Sequence, residues 1–358
     1  MPDSQNSENT ISDKKIIDDP DAIADFNQGT PSLVERIQHA LHVTPSLVPL
    51  IVLTLAVIIF GLLLGSKFFS PFALTLILQQ VAIVGIVGAA QSVVILTAGI
   101  DLSVGAITVL SSVVMGQFTF RYGLPVGISI FCGLIAGTMV GFLNGWLIAR
   151  VKLPPFIVTL GMWQIALATN FLYSANATIR AQDIDKHAPL LHFFGEKIKI
   201  GGAVFTYGVI FMVLLVILLT YILRQTAWGR HVYAVGDDPD AAELSGVNVK
   251  RVLISVYMLS GLICAFAGWA MIGRIGSVSP TSGQLINIES ITAVVIGGIS
   301  LFGGRGSIMG MIFGALIVGV FTLGLRLIGV DAQWTFLLIG ALIIGAVAID
   351  QWIRKVSG

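Results

Sequence analysis

Six side chains that can hydrogen-bond without formal charge stand inside long apolar runs: Gln80, Gln91, Asn144, Trp163, Gln164 and Asn170. Carboxamides donate and accept hydrogen bonds without formal charge, and an indole adds a flat apolar face with one donor. That combination could line the route of a small polar solute through a membrane. The plainer reading is helix-to-helix pairing, because an unpaired polar group in hydrocarbon costs several kcal/mol. On the residues alone both readings stand. Two carboxylates flank apolar runs: Asp101 follows TAGI, and Glu289 follows SVSPTSGQLINI. A charge at the bilayer centre costs roughly 2.5–3.5 kcal/mol on insertion scales, so both are expected near interfaces. Asp101, beside Ser103, suits a helix cap; a gate or interface role is the alternative for either acid.

The elements that must position these groups form a membrane bundle. Hydrophobic residues make up 56% of the 358 and charged residues 11%, with a mean hydropathy of +0.93. An ordinary soluble domain is about a quarter charged. Segments near 47–65, 73–97, 101–119, 125–149, 156–175, 203–223, 251–272, 289–303, 308–328 and 333–352 approach the ~20 residues that cross a bilayer. Those at 101–119 and 289–303 are Gly/Ser-rich or short and read as broken helices. The expected fold is all-α: a polytopic membrane bundle of about ten transmembrane helices. Gly133, Gly137, Gly141 and Gly145 share one helical face, and Gly310 and Gly314 repeat the spacing. Such residues let helix backbones approach where no water drives association. Gly298-Ile299-Ser300-Leu301 parallels Gly99-Ile100-Asp101-Leu102, a hint of two inverted halves.

Several functions are set aside by the same composition. The 20 basic and 19 acidic side chains nearly cancel, so charge points to no nucleic acid. Cys132 and Cys264 lie in apolar runs and read as packing residues. No Cys/His pair has metal spacing, and no acid–base or nucleophile arrangement is apparent, so the chain by itself is not expected to be an enzyme. GLLLGSK, 61–67, is too short before its second glycine for a phosphate loop. Residues 1–45 are acidic and lack a basic n-region with an apolar h-region, and they read as a disordered cytoplasmic tail rather than a signal peptide. Within them SLVERIQHALHV, 32–43, has Ser32 and Glu35 at capping-box spacing and predicts a short interfacial helix. The transmembrane domain is expected over 46–354. Arg150, Lys152, Arg224, Arg230, Lys250, Arg251, Arg305, Arg354 and Lys355 fall on one side, which favours cytoplasmic N- and C-termini.

One polar stretch interrupts the oil: AVGDDPDAAELSGVNVKRVL, residues 234–253. Asp238 can cap a helix beginning at Pro239, whose missing amide is no loss in a first turn. Asp240 sits well at the positive end of the helix dipole. Ala241, Ala242, Glu243 and Leu244 are sound helix residues, and Gly246 suits a left-handed stop. The product is a short, rigid helix fixed at both ends. It reads either as an incidental turn in a solvated loop or as a peg that docks on another protein.

The run PDAAELSG resembles the EAA-type loop of bacterial ATP-binding-cassette permeases, with Asp240 in place of the usual Glu. SITAVVIGGISLFGGRGSIMGMIFGALIVGV, 290–320, and VILTAGIDLSVGA, 94–106, are similar to motifs of the ribose-, xylose- and arabinose-type sugar permeases. KLPPFIVTLGMWQ and QTAWGR look closest to the fructose import permeases of that group. The resemblance covers about residues 47–352 and leaves the acidic tail outside. It implies a coupling loop at 224–250, in which Gly236, Asp237, Asp238, Pro239, Asp240, Ala241, Ala242, Glu243 and Gly246 meet a cytoplasmic ATP-binding subunit. It further implies a homodimer in the bacterial inner membrane that moves a monosaccharide, fructose or a ribose-like sugar, by alternating access. A periplasmic sugar-binding protein would sit on loops 176–202 and 273–288. ATP and magnesium would be held by the partner, with no cofactor on this chain. The alternative is an ion-gradient-driven secondary transporter of a small polar solute. Such a carrier has no need of a docking peg, and Asp101, Glu289, Arg326 and Asp350 lie near segment ends rather than in mid-span.

Overall fold

The computed structural model describes residues 46–357. The expected tail and the helix at 32–43 lie outside the described residues. The helices are α1 (Leu47–Leu64), α2 (Pro71–Leu96), α3 (Val104–Phe120), α4 (Val126–Ala149), α5 (Pro155–Ser174) and α6 (Ala181–His187). A hairpin follows, β1 (Lys197–Ile200) and β2 (Ala203–Thr206). Then come α7 (Tyr207–Gln225), α8 (Ala227–Asp237), α9 (Pro239–Leu244), α10 (Val249–Ile275), α11 (Ile286–Ile296), α12 (Ile308–Ile328) and α13 (Ala332–Ser357). Among the described residues seven helices are long and apolar enough to cross a membrane: α1, α2, α4, α5, α7, α10 and α12. Three shorter apolar helices, α3, α11 and Gln333–Ala348 within α13, account for the remaining apolar segments. The chain is a polytopic helical membrane bundle.

The bundle is built around α2 and α10. Every residue of α2 from Val81 to Leu96 is buried, which is why that run is apolar on all sides instead of along one stripe. Its start is fixed by Ser70, whose Oγ accepts from the Ala73 amide at 3.1 Å, with Pro71 in the first turn. α10 packs against α4 through glycine. A methyl group on Gly141 would strike the Tyr257 carbonyl oxygen, and one on Gly261 would strike that of Gly137. Gly145 lies against Ile254 in the same way. In hydrocarbon this backbone contact, not a hydrophobic drive, holds two helices together. Gly310 and Gly314 of α12 press likewise on the carbonyls of Gly297 and Ala293 at the end of α11.

Three expected boundaries change. Residues 203–206 form a strand rather than the start of a span, because Gly201 and Gly202 take φ of 58° and 84° and close a two-residue hairpin turn. The Val204 amide then donates to Thr75 Oγ1 at 2.8 Å, fastening the hairpin to α2. The segment 176–202 is built, not loose: it holds α6, a 3-10 turn at Pro189–Gly195 and β1. Gly195 packs on Gly273, and Trp269 Nε1 donates to the Leu190 carbonyl at 3.2 Å. The polar stretch at 224–250 contains two helices, α8 and α9, of which the sequence reading found the second.

Candidate functional site

The polar interruption is a capped peg. Asp238 Oδ1 accepts from the amides of Asp240 at 2.9 Å and Ala241 at 3.0 Å, and Pro239 occupies the first turn. At the other end Gly246 has φ of 88°, and the Val247 amide returns to the Ala242 carbonyl at 3.0 Å. Asp237, Asp238, Pro239, Asp240, Ala241 and Glu243 are exposed, and Leu244 is 91% exposed. Ala242 is buried against the chain's own body. Gly236 is buried too.

The base of the peg is α8, which sequence reasoning missed. Thr226 caps it, its Oγ1 accepting from the Gly229 amide at 3.2 Å. Trp228 Nε1 donates to Ser255 Oγ at 2.8 Å and so ties α8 to α10. Tyr233 donates to the Gly306 carbonyl at 3.0 Å, and burial raises its phenol above the ordinary range, which keeps it a neutral donor. A methyl on Gly236 would collide with the Leu96 carbonyl oxygen and sit 2.7 Å from the Gly304 nitrogen. The Gly304 amide itself donates to the Leu96 carbonyl at 3.0 Å. One short helix therefore bears on the end of α2, where the irregular segment 97–103 begins, and on a second irregular segment, 297–307. The missed signal is the amphipathic run AWGRHVYAVGD, which has helical spacing.

Those two segments share local geometry. Ala98 and Gly298 both take positive φ, 57° and 78°. The Gly99 amide returns to the Val94 carbonyl and the Ile299 amide to the Val294 carbonyl, each at 3.2 Å. Asp101 Oδ1 then accepts from the Ser103 amide at 2.8 Å, as Ser300 Oγ accepts from the Phe302 amide at 3.3 Å.

Asp101 departs from expectation. Its side chain is fully buried in protein. Its Oδ1 closes the turn ahead of α3, taking both the amide and the hydroxyl of Ser103, rather than capping the helix. The surrounding amides brace this turn. Asn144 Nδ2 donates to Ser103 Oγ at 2.9 Å, and Asn170 Nδ2 to the Ala106 carbonyl at 3.4 Å. Two braces were not foreseen. Thr159 Oγ1 donates to the Ile100 carbonyl at 3.0 Å. Asn287 accepts from the Gly105 amide and donates to the Leu102 carbonyl at 2.7 Å. Gln91 is wholly buried on α2 without a protein hydrogen-bond partner among the described residues. Trp163 is half-buried, and Gln164 lies exposed on the outer side of α5, so neither joins the other amides.

At the far end of the bundle Gln80 and Glu289 meet. Gln80 Nε2 donates to Glu289 Oε1 at 3.4 Å, and Gln80 Oε1 accepts from Arg274 Nη2 at 2.6 Å. Arg274 was not singled out by the sequence. Among the described residues no group of His, Cys, Asp or Glu could hold a metal ion.

Residues 73–347 match the family described as branched-chain amino acid transport system / permease component. The fructose import permease protein of Rhizobium meliloti is 72% identical over 345 residues, covering 96% of each chain. The ribose import permease protein of Bacillus subtilis is 37% identical over 87% of this chain and 95% of its own length. The D-allose transport system permease protein of Escherichia coli is 32% identical over 85% and 91%. No solved structure matches the chain.

Proposed function

Because this chain belongs to the family of branched-chain amino acid transport system / permease components, we propose that it is the membrane-spanning subunit of an ATP-driven, binding-protein-dependent monosaccharide importer, with fructose as cargo. The observation that carries this reading is the 72% identity, across nearly the whole chain, with a fructose import permease. ATP and magnesium act on a separate cytoplasmic subunit. That subunit docks on the peg, with Gly236, Asp237, Asp238, Pro239, Asp240, Ala241, Ala242, Glu243 and Gly246 forming or shaping the contact. The chain has one such peg among its described residues and ATPase domains work in pairs, so the assembly is a homodimer in the bacterial inner membrane. Both termini are cytoplasmic, and a periplasmic sugar-binding protein rests on the segments 176–202 and 273–288. Support for the peg comes from its rigidity: both ends are fixed by local hydrogen bonds, and α8 fastens it to two segments inside the bundle.

Proteoliposomes holding this chain with the ATPase subunit and the sugar-binding protein test the proposal. Labelled fructose should accumulate with ATP and not without it. Gly246→Val, which forces a β-branched residue into left-handed backbone, should abolish most uptake while the ATPase subunit stays bound or is lost. Full uptake by that variant rules out the docking role. Accumulation by the chain alone under an ion gradient would favour a secondary transporter instead.

A further inference from the structure

A cleft enters the bundle at the end away from the peg and runs in to the start of α11. It measures about 430 Å³, and Arg274, Thr281, Gln284 and Glu289 supply its polar lining. A second cleft of about 310 Å³, with Gln80, Thr292, Thr322 and Arg326 in its wall, shares Glu289 with the first. Both volumes fall where small-molecule sites are found. Gln80 lies inside α2, about 14 Å from its start at Pro71 at the helical rise of 1.5 Å per residue. The second cleft therefore reaches that far along α2.

Two features of this place ask for a ligand. The first is the arrangement of charge. A guanidinium and a carboxylate among apolar helices are costly and mark transport routes. Had they only a structural task, direct pairing would serve it best. Instead the Gln80 amide stands between them, taking Arg274 at 2.6 Å and giving to Glu289 at 3.4 Å. Each charged group keeps bonding capacity directed to a cleft. The second is the backbone. The chain between α10 and α11 is irregular, with Gly276 and Gly283 at φ of 80° and 70°. Irregular backbone within a bundle is tolerated where it is packed in protein or lines a cavity.

We propose that Arg274, Gln80, Glu289 and Gln284 form the monosaccharide-binding subsite of the outward mouth, a position that rests on the importer reading above. Sugar hydroxyls donate to the carboxylate, accept from the guanidinium and do both with the amides. Arg274 and Glu289 offset each other, Arg326 adds a cation in the wall of the second cleft, and the hydroxyls of a polyol can meet groups of either sign. α11, 11 residues and about 16 Å long, carries Glu289 in its first turn and ends at the segment that meets α8. The subsite and the peg are thus ends of one short path.

The test uses the complete complex in proteoliposomes, with the binding protein loaded with labelled D-fructose, and reads sugar imported per ATP hydrolysed. Glu289→Gln and Arg274→Gln should lower that ratio roughly tenfold, the scale of one lost charge-assisted hydrogen bond, while stimulated ATP hydrolysis persists. Gln284→Ala, at an exposed position, guards against misfolding and should lower the ratio in the same direction. An unchanged ratio in all three overturns the subsite. So does ATP hydrolysis that falls in step with uptake, the mark of a merely structural role. A wild-type complex that imports no fructose overturns the importer reading itself, and the subsite with it.

Discussion

Asp238 fixes the peg with a single oxygen. Replacing it by alanine frees two amides and costs about 1 kcal/mol of helix stability. Because α9 is exposed, that loss stays local. Asp238→Ala should speed hydrogen exchange at Asp240 and Ala241 and lower ATP-driven uptake, with the melting temperature of the purified chain unmoved. Melting that drops with uptake would assign Asp238 to the fold instead of the contact. This residue was legible in the sequence since its chemistry is local: cap, proline and glycine lie within one short run. Arg274, Asn287 and Tyr233 were not legible. Their partners are Gln80, the segment Leu102–Gly105 and Gly306, and only the folded bundle brings such distant positions together. Asp101 misled for a related reason. Its expected cap rested on the neighbouring Ser103, whereas in the fold its Oδ1 takes that residue's amide and hydroxyl ahead of α3, and Asn144 holds the hydroxyl from another helix.

Among the elements, glycine spacing was the most readable signal. The four-residue repeat on α4 marked a face for a tight seam without naming its partner, α10, because in a membrane close backbone contact is the main source of helix association. Gly141→Leu drives a side chain into the Tyr257 carbonyl and should force the two helices apart. The expected result is a drop of several degrees in the melting temperature in detergent, of the order overpacking by 1–3 kcal/mol produces. A variant that melts like the wild type would mean that the seam is not tight in solution. Apolar length likewise revealed the spans, including the two weak ones: α3 and α11 are short because irregular segments precede or follow them. What length could not reveal was α8, which mixes polar and apolar residues, or the hairpin, whose second strand AVFT is apolar and runs straight into α7.

For the molecule as a whole, α10 and α7 place the peg and the hairpin at opposite ends of the bundle. Each helix starts at one and finishes at the other. Ser245 and Lys199 are exposed at those two ends. In intact cells Lys199→Cys should react with a membrane-impermeant thiol reagent, and Ser245→Cys only after the membrane is opened. The reverse pattern would invert the topology and remove the ATPase from the peg. The positive-inside bias already pointed this way, but weakly, because long segments carry several basic residues on the other side.

The glycine crossing has a mechanical meaning. α10 is a 27-residue helix without a break, about 40 Å of stiff bar at the helical rise, and Gly261 near its middle rests on the midpoint of α4. The bar is gripped along its length as well as at its centre, by Gly145 at Ile254, by Thr108 at Gly268 and by Gly195 at Gly273. A push beside Asn248 should therefore carry α10 and α4 together as one stiff body, and reach the Arg274 end undamped.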